Sequence, residues 1–421
     1  MIQRMARQRT QVRSLFSAVR GNARVMVVTE GIAAISFQWY GTYISLYMLA
    51  LGVSAVQVGL LQSVLILTKL ISTLLGGYAA DRFGRKRVLV VFDILCWGVP
   101  MFLYAIARNP WYFLLGRFIN GFVYIVMPSF ECLFVEDVPR ENRAAVYGVL
   151  QFLMAGASLF APAAGWLVSR RGIIPAGRMI MLITMTSSVA MAIVRQFTLR
   201  ETTVGEERMA DTVGLMPLEM LREYLGAIRI IGRDRRIRTY LVVRNLVTFN
   251  SVMWTTFSII YLTDARGIGL APSVVALFPF ISALVTMGMV LLAADRLQGE
   301  RLFSNLILGQ GLSVAASLLF VLSPSGSIWG PVLVAVGNAA SVALFRSSNN
   351  SYWANLVGDR ERALVFSASA ALTALVTLPA GPLAGMAYSV WSRGPFVLGI
   401  VLQCVALALT VGLASRARVA E

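Results

Sequence analysis

Apolar runs of about twenty residues recur along the whole chain, separated by short polar segments. That length is what a helix needs to cross a hydrocarbon core of roughly 30 Å. Of the 421 residues, 57% are hydrophobic and 14% charged, whereas about a quarter of a soluble domain is charged. The pattern predicts an all-α integral membrane protein with spans near 26–50, 55–80, 88–107, 110–135, 145–168 and 177–197. A second set follows near 238–263, 272–294, 303–323, 328–350, 363–388 and 395–415.

Composition removes several kinds of chemistry. There is no histidine, so histidine catalysis, ligation and proton relays are excluded. Cys96, Cys132 and Cys404 sit singly in apolar runs, without the spacing of a zinc site or a disulfide framework. Lysine occurs only at Lys69 and Lys86, and neither stands in the G-x-x-x-x-G-K-[ST] context that cradles phosphates. The chain therefore reads as neither an enzyme nor a nucleotide-driven pump, with no cofactor and no metal. Its energy source is expected to be an ion or solute gradient, or a separate subunit.

The net charge of +17 is distributed like a topology signal. With the N-terminus inside, the outward segments hold only Arg108, Arg170, Arg171, Arg178, Arg266 and Arg393. Lys69, Arg117 and Arg244 lie within spans, and the other bases fall on or near the inner side. This is the positive-inside bias, so a nucleic-acid partner is not expected and both termini are placed in the cytoplasm. Residues 1–25 read as a basic arm, 26–198 as a six-helix half, 199–237 as a central loop, 238–415 as a second half and 416–421 as a tail. Within the loop, Leu218, Leu221, Leu225 and Ile228 share one face. They suggest either an amphipathic helix on the inner leaflet or a partly ordered linker.

The halves repeat one another. AADR at 79–82 recurs at 293–296, and LG at 51–52 parallels IG at 268–269. ENRAAVYG at 141–148 has a counterpart in RERALVFS at 360–367, and APAAG at 161–165 in GPLAG at 381–385. Four matches in one order indicate an internal repeat, the ground plan of many secondary transporters.

Between spans 2 and 3 stands GGYAADRFGRKR, in which Gly77, Asp81, Arg82, Gly84, Arg85 and Lys86 fill G-x-x-x-D-[RK]-x-G-R-[RK]. This motif, with twelve spans in two pseudo-symmetric halves, resembles the major facilitator superfamily. The resemblance implies that Asp81 meets the N-terminus of helix 11, and that Arg85 pairs with Glu136 or Asp137. Such a lock would hold while the cavity faces outward and break when it faces inward. The second copy, from Asp295 to Arg301, is eroded and is expected to lock more weakly. RFING at 117–121 follows the family's helix 4 pattern. The helix 5 antiporter signature survives only as Ala157, Ala161, Pro162 and Gly165 before Trp166, which predicts close packing and a bend.

Ionisable groups inside spans are costly and point to function. Lys69 lies twelve residues before Asp81, about 18 Å along a helix, on a face with Gln62, Ser72 and Thr73. It reads either as a substrate or coupling group or as half of a buried pair. Arg117, Asn120, Gly121, Tyr124, Pro128 and Glu131 form a stripe on span 4. Arg117 and Glu131 are about 21 Å apart there, too far to satisfy each other, and Glu131 has an alternative in an inner-end network with Arg143 or its neighbours. Span 1 carries Glu30, Gln38, Gly41 and Ser45, ringed by Phe37, Tyr40, Tyr43 and Tyr47. Asp93 reads as structural. Arg244, Thr248, Ser251, Thr255 and Ser258 stripe span 7, and Asn338, Ser341, Asn349 and Tyr352 stripe span 10. By resemblance, spans 1, 4, 7 and 10 line the cavity. Glu30 and Glu131 are the candidate coupling groups, since no acid lies deep in a second-half span.

The expected function is alternating-access transport of a small solute by a monomer in the inner or plasma membrane, as proton-linked antiport exporting an amphipathic compound. Uptake or exchange of an organic anion is the alternative, favoured by Lys69, Arg117 and Arg244. A transporter-like sensor or assembly partner without turnover is the alternative of another class.

Overall fold

The computed structural model describes residues 19–139, 142–211, 229–297, 302–357 and 362–420. The basic arm to residue 18, the loop face of Leu218, Leu221, Leu225 and Ile228, and the second knot's Gly299–Arg301 lie outside the described residues. So does the side chain of Asp295.

Twelve long helical segments account for the described fold. They are α1 (Gly21–Ala50), α2 (Ala55–Phe83), α3 (Arg85–Ala105), α4 (Pro110–Val135), α5 (Arg143–Ala157 and Ala161–Arg171) and α6 (Ile173–Thr198). They continue as α7 (Arg235–Thr263), α8 (Leu277–Leu297, after a 3-10 turn Val274–Ala276), α9 (Leu302–Leu322), α10 (Trp329–Leu356), α11 (Arg362–Thr377 and Ala380–Val390) and α12 (Gly394–Ala420). Among the described residues, ten helices are long and apolar enough to cross a membrane, and the α8 region adds a shorter apolar stretch, Val274–Met289.

Local chemistry sets the ends. Ser54 and Gln57 form a reciprocal capping box at the start of α2, with bonds of 2.9 and 3.2 Å. Asn109 caps α4 by accepting from the Trp111 amide at 3.1 Å, with Pro110 at the first helical position. Asp234 caps α7 through the Arg236 and Ile237 amides. The predicted bend in α5 falls at a 3-10 turn, Ser158–Phe160. Pro162 lacks an amide hydrogen, and its ring crowds the carbonyl of Ser158. α3 contains a π-turn at Ile94–Gly98 and α4 a 3-10 turn at Phe122–Ile125.

Packing divides the chain into two units that are not consecutive in sequence. Unit 1 comprises residues up to Gly41, Ile71–Phe160 and Gly177–Leu215. Its core gathers Met26, Leu89, Leu133, Phe134, Val146 and Leu150. Unit 2 comprises Thr42–Leu70, Ala161–Ala176 and Met216–Glu421, and one core cluster holds Tyr240, Leu241, Leu306, Trp353, Val365 and Ala406. Small residues explain why parts of α2 and α5 belong to unit 2. A Cβ on Gly59 of α2 would lie 2.2 Å from the Gly381 carbonyl oxygen of α11, and one on Gly385 would lie 2.8 Å from that of Ala55. On α5, a Cβ on Gly165 would lie 2.5 Å from the Ser273 carbonyl oxygen. Backbones touch where only glycine permits it. Ala161 is fully buried beside this crossing and Pro162 is half-buried.

Candidate functional site

In unit 1 the most concentrated charge is a three-helix cluster around Arg195. Its side chain is 1% exposed and meets Glu30 of α1 at 2.5 Å and Asp93 of α3 at 2.8 Å. Its Nε donates to Thr29 Oγ1 at 3.1 Å. Two carboxylates thus share one buried guanidinium, Asp93 fully buried and Glu30 half-buried. With both acids ionised the cluster carries one uncompensated negative charge, and one proton neutralises it. Arg195 was expected among the inner-side bases, so its burial is a correction. The signal was available: Glu30 and Asp93 needed a base, and Arg195 stands in the last turn of α6.

Asp93 immediately precedes the π-turn of α3, an interruption of the regular ladder that often accompanies functional sites. Asn120 donates from α4 to the Cys96 carbonyl within that turn, at 2.8 Å. Asn120, 5% exposed, is a buried tie between these two helices. Arg117 is 9% exposed, and its Nε finds no hydrogen-bond partner among the described residues. Tyr40 is buried too, stacked with Tyr104 at 6.3 Å and edge-on to Trp97 at 6.0 Å. It forms part of an aromatic packing cluster. Gln38 and Tyr124 are half-buried in the same unit, whereas Glu131 is exposed and accepts from the Tyr147 hydroxyl. Arg143 donates to the Val138 carbonyl at 3.2 Å, while its neighbour one turn on, Tyr147, is the residue that holds Glu131.

The knot also lies in unit 1. Gly84 has φ of 85°, a conformation that favours glycine. A Cβ there would lie 2.8 Å from Met209 Sδ. Arg85 is 4% exposed and ion-pairs with Glu136. It also donates to Thr202 Oγ1 at 2.7 Å, and Thr202 in turn donates to Glu136 at 2.6 Å. Asp137 is engaged separately, accepting from Asn22 at 3.3 Å. The Lys86 amide donates to Glu201 Oε2 at 3.0 Å. Gly77 and Asp81 are half-buried and Arg82 is exposed. Glu201 and Thr202 were missed in the sequence. Thr202 caps the short helix Thr203–Asp211 through the Gly205 amide at 3.1 Å, a role visible only as a threonine ahead of an acidic stretch.

Unit 2 holds a cavity of about 410 Å³ among α7, α8, α9, α10 and α12. Ser251 and Asn338 line it, as do Asn250, Trp254, Gln310 and Gln403. Among the described residues, no charged one does. Asn338, Trp254 and Ser282 also border an adjoining space of about 160 Å³. Arg244, expected in the cavity, lies over the Trp353 ring with its carbon 4.7 Å from the centroid, and its Nη1 has no hydrogen-bond partner among the described residues. Lys69 is half-buried on α2 and does not line this cavity. Gln62 sits at the glycine crossing, its Cβ beside Gly381. Tyr352 packs edge-on against Tyr240 at 4.5 Å, and Asn349 accepts from the Tyr240 hydroxyl at 2.9 Å. Both are packing groups.

The chain's likenesses follow this geometry. The profile of the Major Facilitator Superfamily matches residues 26–375. Multidrug resistance protein 2 of Bacillus subtilis is 21% identical over 369 residues, covering 87% of this chain and 88% of that protein. Multidrug resistance protein MdtG of Escherichia fergusonii is 31% identical over 132 residues, 30% of this chain and 32% of that one. Among solved structures, nucleoside transporter NupG superposes with a TM-score of 0.70 at 12% identity, covering 94% of this chain and 99% of its own. A match over most of the sequence, with a shared twelve-helix architecture, makes this a transporter rather than an enzyme. The chain belongs to the major facilitator superfamily.

Proposed function

We propose that the protein is a proton-linked antiporter that exports a small amphipathic solute across the inner or plasma membrane. It works as a monomer with both termini in the cytoplasm. The observation that carries this reading is the buried Glu30–Arg195–Asp93 cluster. It has one carboxylate more than it has bases, so loading and releasing one proton switches it between neutral and negative. A charge that appears and disappears inside a bundle biases the packing of the three helices that hold it. The multidrug resistance relatives support the export direction. Glu131, exposed and held by Tyr147, is the less suited of the two candidate acids. Arg85, Glu136 and Thr202 act in this reading as a gate clasp, and Asp81 as its breakable contact.

The test is transport by the purified protein in vesicles. Glu30→Gln is expected to abolish uphill movement driven by a pH gradient while leaving solute counterflow in place. If gradient-driven transport persists in both Glu30→Gln and Asp93→Asn, the cluster does not carry the proton. Exchange of an organic anion has one specific support, the buried unpartnered nitrogens of Arg117 and Arg244. That reading predicts counterflow of anionic solutes that is insensitive to pH gradients and is lost in Arg244→Met.

A further inference from the structure

The cavity in unit 2 has unusual walls for a protein whose net charge is +17. Among the described residues, the polar groups that line it are uncharged: amides, hydroxyls and the indole of Trp254. Several of these have no partner. Both the Nε2 and the Oε1 of Gln310, the hydroxyl of Ser317 and the Oε1 of Gln403 are buried without a hydrogen bond among the described residues. These side chains belong to residues only 5%, 2% and 6% exposed, so bulk water does not satisfy them. Buried polar groups in folded proteins are almost always paired. Three such side chains converging on one space mark it as built to receive a polar molecule.

The chemistry of that molecule follows from the walls. Gln310 offers a donor and an acceptor from one planar group, and Ser317 offers both from a hydroxyl. Gln403 adds an acceptor. A full charge brought here would leave water without meeting a counter-charge, which is costly, whereas an uncharged group with both donors and acceptors loses nothing it cannot regain. Trp254 supplies an aromatic face beside these groups, steadied by Phe320 at 4.8 Å and Phe396 at 5.6 Å. Phe345 lines the same space. The volume, about 410 Å³, lies in the range of small-molecule sites.

We propose that this cavity is a binding site for uncharged ring compounds bearing a carboxamide or hydroxyl head, recognised by Gln310, Ser317 and Gln403 with the ring against Trp254. The proposal deepens the export reading by naming a substrate class, and it rests on that reading only for what happens after binding.

Benzamide, benzoate and benzamidinium have nearly one shape and differ in charge, so they make a direct probe set. Binding to the purified full-length protein is measured by saturation-transfer NMR titration at neutral pH. Benzamide is expected to saturate at a concentration at least tenfold lower than either ion, and Gln310→Leu is expected to lose that preference. This variant is expected to fold, because it replaces a buried unpartnered amide with an apolar side chain of similar size. A melting temperature at or above that of the native protein checks this. Equal affinity for the three probes, tighter binding of either ion, no saturable binding, or an unchanged profile in Gln310→Leu overturns the proposal. Should Gln310→Leu fail to fold, Gln403→Leu and Ser317→Ala are read in the same way. A parallel assay reads proton movement when benzamide is added to protein in vesicles with an internal pH dye. Benzamide binding without proton movement removes the antiport reading and leaves the site standing. Proton movement that Gln310→Leu does not alter removes the site and leaves antiport standing.

Discussion

The two units solve the same problem in opposite ways. Each keeps polar groups inside a bundle of apolar helices, where an unsatisfied charge or dipole is expensive. Unit 1 does so with ions: Arg195 holds Glu30 and Asp93, and Arg85 holds Glu136, each base almost fully buried. Unit 2 does so with neutral groups, the amides and hydroxyls around its cavity, several of them lacking a protein partner. Ion clusters hold geometry and exchange protons. Neutral walls discriminate solutes by hydrogen bonding without fixing a sign of charge. In the reading proposed above, the first kind of interior couples energy and the second recognises solute.

The largest expected effect strikes the ionic side. Arg195→Met strands the buried Asp93 and the half-buried Glu30, and breaking a buried pair in this way costs about 3–5 kcal/mol. A large fall in melting temperature is expected. Adding Glu30→Gln and Asp93→Asn to the same chain should recover most of it, because no uncompensated charge then remains. Recovered stability without recovered gradient-driven transport would separate the cluster's two roles. If Arg195→Met melts like the native protein, the cluster is not the charge-compensated unit described, and the contrast between the two interiors fails at its root.

Unit 2 should be vulnerable instead to volume. The Cβ of Gly59→Val would fall within 2.2 Å of a backbone carbonyl on α11, and that neighbour cannot rotate away. Overpacking of this kind costs about 1–3 kcal/mol. Gly148 is a suitable control, because a Cβ there meets nothing within 4 Å. Comparable melting temperatures for Gly59→Val and Gly148→Val would show that the α2–α11 crossing is not as tight as its geometry.

Much of this organisation was legible in the residues. Twelve spans followed from the length of the apolar runs, and the family from the residues between Gly77 and Lys86. Pro162 marked the bend in α5. Periodicity could say which residues share a helix face but not which neighbour that face meets. Asn120 therefore read as cavity-lining on its stripe, while it reaches a carbonyl that the π-turn of α3 presents. Arg195 was open to the argument that Glu30 and Asp93 needed a base, but its place near a helix end resembles that of the solvated arginines that set topology. Gln310, Ser317 and Gln403 gave no signal at all. An uncharged polar residue in a span is common enough that only its convergence with others distinguishes it, and α9 and α12 converge through tertiary packing alone.

The smallest expected effect concerns the one ion pair that unit 2 shows among its described residues. It stands beyond the end of α7, where Arg266 meets Asp264 at 3.0 Å. Tyr388 also donates to Asp264, at 2.8 Å, and Ser392 donates to the Arg266 carbonyl at 2.7 Å, fastening the turn after α7 to the end of α11. Partial burial works against ionisation of Asp264, but the bonds from Arg266 and Tyr388 outweigh it and hold the carboxyl below its ordinary range. A depressed carboxylate contributes stability above its unfolded pKa, about 3.9, and that contribution is lost as pH falls through the folded value. The Arg266 side chain is 63% exposed, so screening keeps the contribution to about 1 kcal/mol or less. Melting curves of the native protein and Asp264→Asn in detergent should differ slightly at pH 7 and converge as the pH is lowered below 4. A gap as large at pH 3 as at pH 7 would mean that the pair's charge contributes nothing. A gap at pH 7 rivalling that of Arg195→Met would mean that unit 2 depends on ions after all.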